Sequence, residues 1–257
     1  GVSPGSYVAT DTATVNTVDT SHGDKLTSKA TGSLNTPRWY GTAVVLPTGE
    51  VFLANGASAD EVVAPGSAFP VTKSEIYDPE SGRWRVVAEQ SHGRTYHNTA
   101  ALLPDGRVLL GGHAPIATAY SFQTDAGHQA LGLSKSGHDP SFEIYSPPYL
   151  FHGRRPRITS APEHVRWGSR MTFTVDSPSR VSSVRLVRNT SLTHLIDGDQ
   201  RNVVLKVVRR EGDRVTVRVP GRTVLPAGLY MLFANRASAK GEIPSVSSQT
   251  FVGRSPS

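Results

Sequence analysis

The stretch RTYHNTAALLPDGRVLLGGH, residues 94–113, decides the fold. Its second half contains two short apolar runs around Pro104-Asp105-Gly106, and this pattern predicts a β-hairpin. Proline presets φ for such a turn, and glycine supplies the position with positive φ. The hairpin does not need the adjacent Tyr96 and His97 that precede it, so this pair requires a separate explanation.

The hairpin belongs to an internal repeat. VLPTGEVFLANG, residues 45–56, matches LLPDGRVLLGGH, residues 102–113, at an offset of 57 residues. EIYDP, residues 75–79, is echoed by EIYSP, residues 143–147, after a longer loop. A hairpin, a loop and an E-I-Y-x-P strand at a period near ~50 residues are typical of kelch-like propeller blades, each a four-stranded sheet.

The chain contains too few predicted blades to close a propeller. Residues 36–92 make one blade, residues 93–150 a second, and residues 1–35 at most some strands of a third. A propeller closes with at least ~4 blades, so we expect the missing blades to come from an upstream N-terminal portion of the same protein. The chain is then the C-terminal portion of a longer protein, with exposed sheet edges where its partner blades belong.

The sequence pattern changes after residues 146–156, SPPYLFHGRRP. Strands such as RMTFTVD, SVRLVRN, VVLKVVRR, RVTVRVP and LYMLFAN follow, mostly spaced ~10–12 residues apart, and this spacing predicts an immunoglobulin-like sandwich. We therefore expect an all-β protein with two domains. The first, residues 1–152, is a partial kelch β-propeller, and the second, residues 153–257, is a C-terminal β-sandwich.

Composition excludes several classes of chemistry. The 257 residues include no cysteine, which rules out disulfides, thiolate metal sites and thiol catalysis within this chain. The net charge of +6 is spread along the chain, without a basic run long enough for a nucleic-acid arm, so no nucleic-acid partner is expected. The sequence contains no run of ~18 apolar residues, so we predict no membrane span.

The repeat makes His97 a candidate functional residue. Arg38-Trp39-Tyr40-Gly41 aligns with residues 94–97 at an offset of 56, one residue short of the hairpin's offset. The tyrosine recurs, whereas Gly41 is the nearest counterpart of His97, so the fold does not demand a histidine there. Adjacent residues on a regular strand point to opposite faces, so Tyr96 and His97 could reach one centre only where the backbone is irregular. Imidazole with a phenolate suits Cu(II).

Several separate motifs, in order, carry a family resemblance. Residues 94–113, then SLTHLIDGDQRNVVL, LPAGLYMLFA and IPSVSS, resemble the galactose oxidase and glyoxal oxidase family of copper radical oxidases, in its bacterial branch. The resemblance implies a seven-bladed kelch propeller with a C-terminal sandwich. It also implies that Tyr96 is the axial copper ligand and general base, while His97 and His194 are the two equatorial imidazoles. On residue type alone, His194 would be a surface-loop histidine.

The same resemblance implies an enzyme whose radical cofactor lies elsewhere. Family members oxidise a primary alcohol or an aldehyde with one copper ion and reduce dioxygen to hydrogen peroxide. A tyrosine joined to a cysteine by a thioether forms their radical cofactor. Those residues belong to the upstream portion, so we expect this chain alone to be inactive.

Substrate and location follow from the resemblance as well. Tyr7 matches a family tyrosine that galactose-oxidising members follow with glutamine, where this chain has Val8. Thr72 stands where those members have phenylalanine. Both family residues contact the sugar, so we expect a small aldehyde or alcohol, or a cell-surface glycan, in preference to galactose. The implied location is extracytoplasmic, either secreted or associated with the cell surface.

Two other interpretations remain open at this point. A non-catalytic kelch propeller could bind a glycan or a protein through its face, because folds do not fix function. A structural cell-surface domain could also retain the fold after its oxidase half has degenerated. The first of these predicts no copper affinity and treats Tyr96, His97 and His194 as packing residues.

Overall fold

A computed structural model describes residues 9–21, 23–58, 70–113, 139–193 and 196–254. Its elements are β-strands and two short 3₁₀ turns, Pro148–Phe151 and Pro178–Arg180. The described ranges contain no α-helix, and no helix in them is long and apolar enough to cross a membrane. The predicted all-β class is therefore confirmed.

The first half of the chain forms a hairpin and two antiparallel sheets. The hairpin pairs β1 (Thr14–Asp19) with β2 (Lys25–Ala30). Repeat sheet 1 has four strands in chain order: β3 (Thr42–Val45), β4 (Val51–Ala54), β5 (Lys73–Asp78) and β6 (Arg83–Glu89). Repeat sheet 2 has three: β7 (Thr99–Leu102), β8 (Val108–Gly111) and β9 (Phe142–Tyr145).

The two predicted hairpins form with the same turn. Gly49 and Gly106 have φ of 94° and 85°, the left-handed region in which glycine avoids a steric penalty. Each glycine N–H donates to the carbonyl three residues earlier at 2.9 Å, Gly49 to Leu46 and Gly106 to Leu103. The sequence repeat from residue 45 to 56 and from 102 to 113 is therefore a repeat of structure.

An arginine–glutamate pair also recurs in both sheets, fully buried in the first and partly exposed at the glutamate in the second. Arg38 donates to Glu75 at 2.9 Å, and Arg94 contacts Glu143 at 3.4 Å. Each glutamate is the first residue of the E-I-Y motif, and its carboxylate accepts backbone N–H groups from the segment just before the arginine. Those donors are Asn35 and Thr36 in the first copy and Ser91 and His92 in the second. The pair ties the outer half of each sheet to the chain that leads into it.

The second half of the chain is a strongly curled nine-stranded sheet in two layers. Its strands are β10 (Ile158–Ser160), β11 (His164–Val165), β12 (Arg170–Val175), β13 (Val181–Arg188), β16 (Asn202–Glu211), β17 (Arg214–Arg218), β18 (Gly228–Ser238), β19 (Gly241–Pro244) and β20 (Ser248–Val252). The long strand β16 pairs with β13 through Asn202–Leu205 and with β17 through Lys206–Glu211. It thereby passes from one layer to the other between Leu205 and Lys206, and its pairing with β17 has a register irregularity between Val207 and Arg209.

The core of the curled sheet lies between its two layers. Alternate residues of the strands point inward, as the period of two requires. Phe173 and Val217 come from one layer, and Leu186 and Leu232 come from the other. Trp167 packs against this core and donates its indole N–H to the Leu225 carbonyl at 2.6 Å.

A second core joins the curled sheet to the repeat sheets. The residues of β18 that do not face the first core, Met231 and Phe233, pack with Phe52, Ala100 and other apolar residues of both repeat sheets. Both faces of β18 are therefore buried. The two repeat turns dock there as well, because the Pro47 carbonyl accepts from the Asn235 amide and the Pro104 carbonyl from the Ser247 N–H, both at 2.9 Å. The division at residues 152 and 153 stays a prediction, as does the closed ring of seven blades.

Candidate functional site

Tyr96 and His97 lie just before β7, where the backbone is irregular. His97 has φ of 46°, in the left-handed region that is uncommon for residues other than glycine, although histidine adopts it more often than most residues do. Strand alternation does not apply to such a residue, and the two rings lie with their centroids 4.1 Å apart at an angle of 39°. Both side chains are partly buried. The irregular backbone expected from the sequence is present, and the structure brings these two residues together.

The structure corrects the alignment of His97 with Gly41. Tyr40, with φ of 59°, is the residue of left-handed conformation in the first copy, and it lies two residues before β3 as His97 lies two residues before β7. The offset of 57 that relates the hairpins therefore extends back to His97. The extra residue of the second copy lies between Arg94 and His97, so Tyr96 has no single counterpart in the first copy.

Aromatic side chains from both copies surround Tyr96. The Trp39 ring is nearly parallel to the Tyr96 ring, with centroids 5.9 Å apart and an angle of 7°. The Tyr40 ring lies 4.6 Å from the Tyr96 ring and is tilted by 47°. Burial raises the pKa of the Tyr40 phenol above its ordinary value, and the neighbouring Tyr96 phenol, to which it is hydrogen bonded, adds to the rise. Tyr40 therefore stays protonated at neutral pH.

Asn98 holds the turn that contains Tyr96 and His97 through side-chain hydrogen bonds. This fully buried amide donates to the Tyr40 carbonyl at 3.3 Å and to the Arg94 carbonyl at 3.2 Å. Its oxygen accepts from the Thr42 hydroxyl and from the Asn55 amide. All four hydrogen bonds cross between the two copies or close the turn itself, so they hold the backbone on both sides of Tyr96 and His97.

Arg94 anchors the segment that leads into the site. Its fully buried guanidinium donates to the Ser141 carbonyl and hydroxyl, both at 3.0 Å, and lies 3.6 Å from the Asp139 carboxylate. Burial on its own would raise the pKa of Asp139, but hydrogen bonds from Ser141, the charge of Arg94 and a hydrogen bond from His92 outweigh it, so this pKa is lowered. The pKa of Glu143 is also lowered: hydrogen bonds from Ser91 and the charge of Arg94 outweigh its burial.

His194, the third predicted ligand, lies outside the described residues. Its flanking strands are described: Leu192–Thr193 (β14) pairs with Ile196–Asp197 (β15) in antiparallel register. The Arg188–Asp199 ion pair at 2.6 Å holds the chain beside this pair of strands.

The described residues after β15 lie along the first strand of repeat sheet 1. Asn202 donates to the Leu46 carbonyl at 2.8 Å, and Gln200 bonds the Val45 N–H and the Ala43 carbonyl. Asp197 and Gln200 also line a narrow crevice with Ala43 and Ala100. From Asn202 to Gln200 the contacts thus move from the far end of β3 toward its beginning, which is the end beside Tyr40 and Tyr96.

The donor chemistry present fits copper. A phenol oxygen and an imidazole nitrogen on adjacent, partly exposed side chains are ligand types that Cu(II) accepts. Within the described ranges, no three His, Asp or Glu side chains come together as a metal-binding group.

The two halves of the structure and the Tyr–His pair define a class of protein, an all-β scaffold with a candidate copper site. The family model described as the N-terminus of glyoxal oxidase matches residues 10–149, and the early set domain of galactose oxidase-like proteins matches residues 155–251. A solved fungal alcohol oxidase of the AA5 family, in complex with copper, superposes with a TM-score of 0.79 at 25% identity, over 96% of this chain and 49% of that one.

Relatives of similar sequence have names from the same group. A galactose oxidase of Gibberella zeae is 30% identical over 226 residues, which are 85% of this chain and 30% of that protein. The aldehyde oxidase GLOX of Vitis pseudoreticulata is 33% identical over 216 residues, which are 77% of this chain and 38% of that protein. The chain thus spans about a third of the length of these relatives. It belongs to the galactose oxidase and glyoxal oxidase family of copper radical oxidases.

Sequence reasoning missed several residues around the pair. Trp39 and Tyr40 entered only as an alignment partner, and Asn98 had no repeat counterpart to mark it. The repeat did contain a signal for His113, because a buried histidine replaces Gly56 at the hairpin offset of 57. The Arg94–Glu143 pair could also have been found, since both copies have an arginine near the tyrosine and a glutamate that begins E-I-Y.

Proposed function

We propose that this chain supplies the copper-binding end of a copper radical oxidase that oxidises a primary alcohol or an aldehyde. Tyr96, His97 and His194 would hold the copper ion. The observation that carries the proposal is the Tyr96–His97 pair on a left-handed backbone, in a chain of this family. When bound, copper together with a tyrosyl–cysteine radical from the rest of the protein supplies a two-electron oxidation, in which dioxygen is reduced to hydrogen peroxide.

The contacts of the described strands support the assignment of His194. Gln200 lies against Ala43 near the beginning of β3, and His194 precedes Gln200 by only six residues. Six residues of extended chain span at most roughly 20 Å. The direction set by Asn202 and Gln200 leads toward the end of β3 where Tyr40 and Tyr96 lie, which supports His194 as the third ligand.

The chain's own residues would bind and deprotonate the substrate. Tyr96 takes the hydroxyl proton of the substrate as general base, which requires its phenol oxygen to be free of its proton. The Tyr40 hydroxyl, which keeps its own proton, donates a hydrogen bond to the Tyr96 phenol oxygen and orients it. The Trp39 ring stacked on Tyr96 limits the positions that the phenol can take.

The test is copper binding and turnover in the full-length protein. We expect His97→Ala and Tyr96→Phe each to abolish peroxide release and to weaken copper binding. His164→Ala, which changes a histidine stacked on Phe251 in the curled sheet, is the matched control and should leave both unchanged. A full-length protein that binds no copper would favour a non-catalytic glycan- or protein-binding module and end the proposal.

For the substrate, we propose a small aldehyde or alcohol, or a glycan terminus, in preference to galactose. Thr72 lies just before β5, and its carbonyl accepts from the Gln90 N–H at 2.9 Å, so its small side chain sits on an anchored backbone. A threonine offers no aromatic face to a sugar ring. Peroxide release should be faster with glycolaldehyde than with galactose, and Thr72→Phe should raise the relative rate with galactose. Galactose as the best substrate of the unaltered protein would contradict this.

We propose that the rest of the protein completes repeat sheet 2. Sheet 1 has four strands and sheet 2 three, and no strand among the described residues pairs with the outer edge of β9. Phe142 and Ile144 on β9 are 67% and 42% exposed. Unpaired edges with apolar side chains promote strand addition. Hydrogen exchange should be slow at the outward amides of β9 in the full-length protein, and fast exchange there would contradict the pairing.

For its location, we propose that the protein is secreted or associated with the cell surface. A surface glycan would meet such an oxidase only outside the cytoplasm. Fractionation of the producing cells, with peroxide release as the readout, tests this. Activity confined to the cytoplasmic fraction would be the contrary result.

A further inference from the structure

We infer that His113 is a positioning residue that fixes the backbone of the copper-binding pair. The inference rests on the proposed function, because it concerns the same Tyr96 and His97. We assign His113 no contact with the substrate or with a reacting atom. It acts through the peptide groups of Thr95 and Tyr96, and its side chain is 2% exposed at the end of repeat sheet 2.

One ring nitrogen of His113 collects three contacts from the segment before His97. The Thr95 and Tyr96 N–H groups approach its Nδ1 at 3.2 and 3.4 Å, and the Thr95 hydroxyl lies 3.2 Å from the same atom. Backbone N–H groups can only donate, so Nδ1 is the acceptor and the ring proton is on Nε2. An imidazole in this tautomer replaces the carbonyl that backbone N–H groups usually find.

The first copy of the repeat meets the same need with backbone alone. There the Trp39 N–H donates to the Ala57 carbonyl at 2.7 Å, and Ala57 returns the bond at 2.9 Å. Gly56, the counterpart of His113, has no room for a side chain, because a Cβ there would lie 2.4 Å from the Trp39 carbonyl. A histidine can occupy this place only where the backbone before the strand follows a different path.

The different path is the one that the extra residue creates. In the second copy two residues lie between Arg94 and the left-handed residue His97, whereas in the first copy one residue lies between Arg38 and Tyr40. The additional residue has no counterpart in the first copy. His113 fills the space and binds two successive N–H groups of this longer turn. The substitution of glycine by histidine and the added residue thus occur together, at the one described turn that carries a Tyr–His pair.

The test uses the full-length protein with His113→Leu and His113→Asn. Leucine keeps much of the volume but removes the acceptor, whereas the Asn Oδ1 can stand where Nδ1 was. We expect His113→Leu to weaken Cu(II) binding about 10-fold, the lower range seen when a residue that orients a ligand is lost, and to alter the Cu(II) EPR spectrum. His113→Asn should stay within roughly threefold of the unaltered protein. The control His164→Leu should change neither quantity.

The outcomes separate this inference from the proposed function. Unaltered copper affinity and EPR spectrum in a folded His113→Leu protein would overturn the inference, as would a folded His113→Asn protein that loses as much affinity as the leucine variant. His113→Gly replaces the leucine variant if that protein does not fold, with the same expected loss. Tyr96→Phe and His97→Ala are measured in parallel: if they bind copper normally, the proposed function itself is wrong.

Discussion

Among individual residues, buried ion pairs fix much of the local structure around the candidate site. Arg38 and Glu75 have side chains only 2% and 0% exposed, and the guanidinium also donates to two backbone carbonyls. Burial lowers the pKa of Arg38, and the Glu75 charge opposes that effect, so the arginine remains charged. Such a pair is costly to break because either partner alone is a buried, uncompensated charge.

The first prediction concerns this pair. Glu75→Gln should lower the free energy of unfolding by about 3–5 kcal/mol, since it leaves the buried Arg38 without its counter-charge. Chemical denaturation of the full-length protein gives the value. Glu211→Gln is the control, because the Arg209–Glu211 pair is 65% and 66% exposed and should contribute less than about 1 kcal/mol. Equal losses in both variants would argue against the importance of burial.

Single residues were the hardest features to predict. Tyr96 and His97 stood out because a histidine interrupts a repeat, which is a comparison the sequence contains. Asn98 and the stacked Trp39 could not be assigned, because their roles depend on contacts between two copies that lie more than 40 residues apart. The sequence also places the counterpart of His97 one residue too late, at Gly41, because only the backbone angles show that Tyr40 and His97 are equivalent.

At the level of elements, the paired strands β14 and β15 continue into a segment that contacts repeat sheet 1. Its continuation is fixed to β3 through the Gln200 side chain, which bonds one N–H and one carbonyl of that strand. Each such bond contributes about 0.5–1.5 kcal/mol net. These bonds fix the segment after β15 relative to repeat sheet 1.

The second prediction tests this anchoring. Gln200→Ala should weaken copper binding about 10-fold, because the segment that carries His194 loses its contact with β3. Competition with a chelator gives the affinity. Arg201→Ala removes a neighbouring hydrogen bond to Val224 within the curled sheet and should leave the affinity within roughly twofold. A Gln200→Ala protein with normal copper affinity would show that the hairpin is held by other contacts.

Elements were predicted better than single residues. The hairpins on either side of Gly49 and Gly106 follow from short apolar runs around turn glycines, and the strands of the second half follow from their regular spacing between turns. The passage of β16 between two layers could not be read from the sequence. Its ten residues form one uninterrupted strand, and only pairing with both β13 and β17 shows the crossing.

At the scale of the whole molecule, the curled sheet and the repeat sheets share one continuous apolar contact. Met231 and Phe233 of β18 reach into the cluster formed by the repeat sheets, while Leu232 between them faces the other core. Both cores therefore depend on β18. Stability of the molecule then reflects charged groups in either half, including the carboxylates beside Arg94.

The third prediction is a loss of stability in acid. The pKa values of Asp139 and Glu143 are lowered in the folded protein, so the unfolded chain takes up their protons more readily. Their contribution is complete above the ordinary carboxyl pKa near ~4 and is lost as the pH falls through the lowered values. Urea unfolding between pH 7 and pH 3 should show this decline, and Asp139→Asn with Glu143→Gln should flatten it. An unchanged slope would contradict the assignment.

We propose that Tyr96, His97 and His194 bind one copper ion, and a count of the imidazole ligands on that ion tests the proposal. Pulsed EPR of the copper-loaded, full-length protein counts coordinated histidines through their remote nitrogens. We predict two in the unaltered protein and one in either His97→Ala or His194→Ala. A count that stays at two in both variants, or a site with no imidazole at all, would contradict the account.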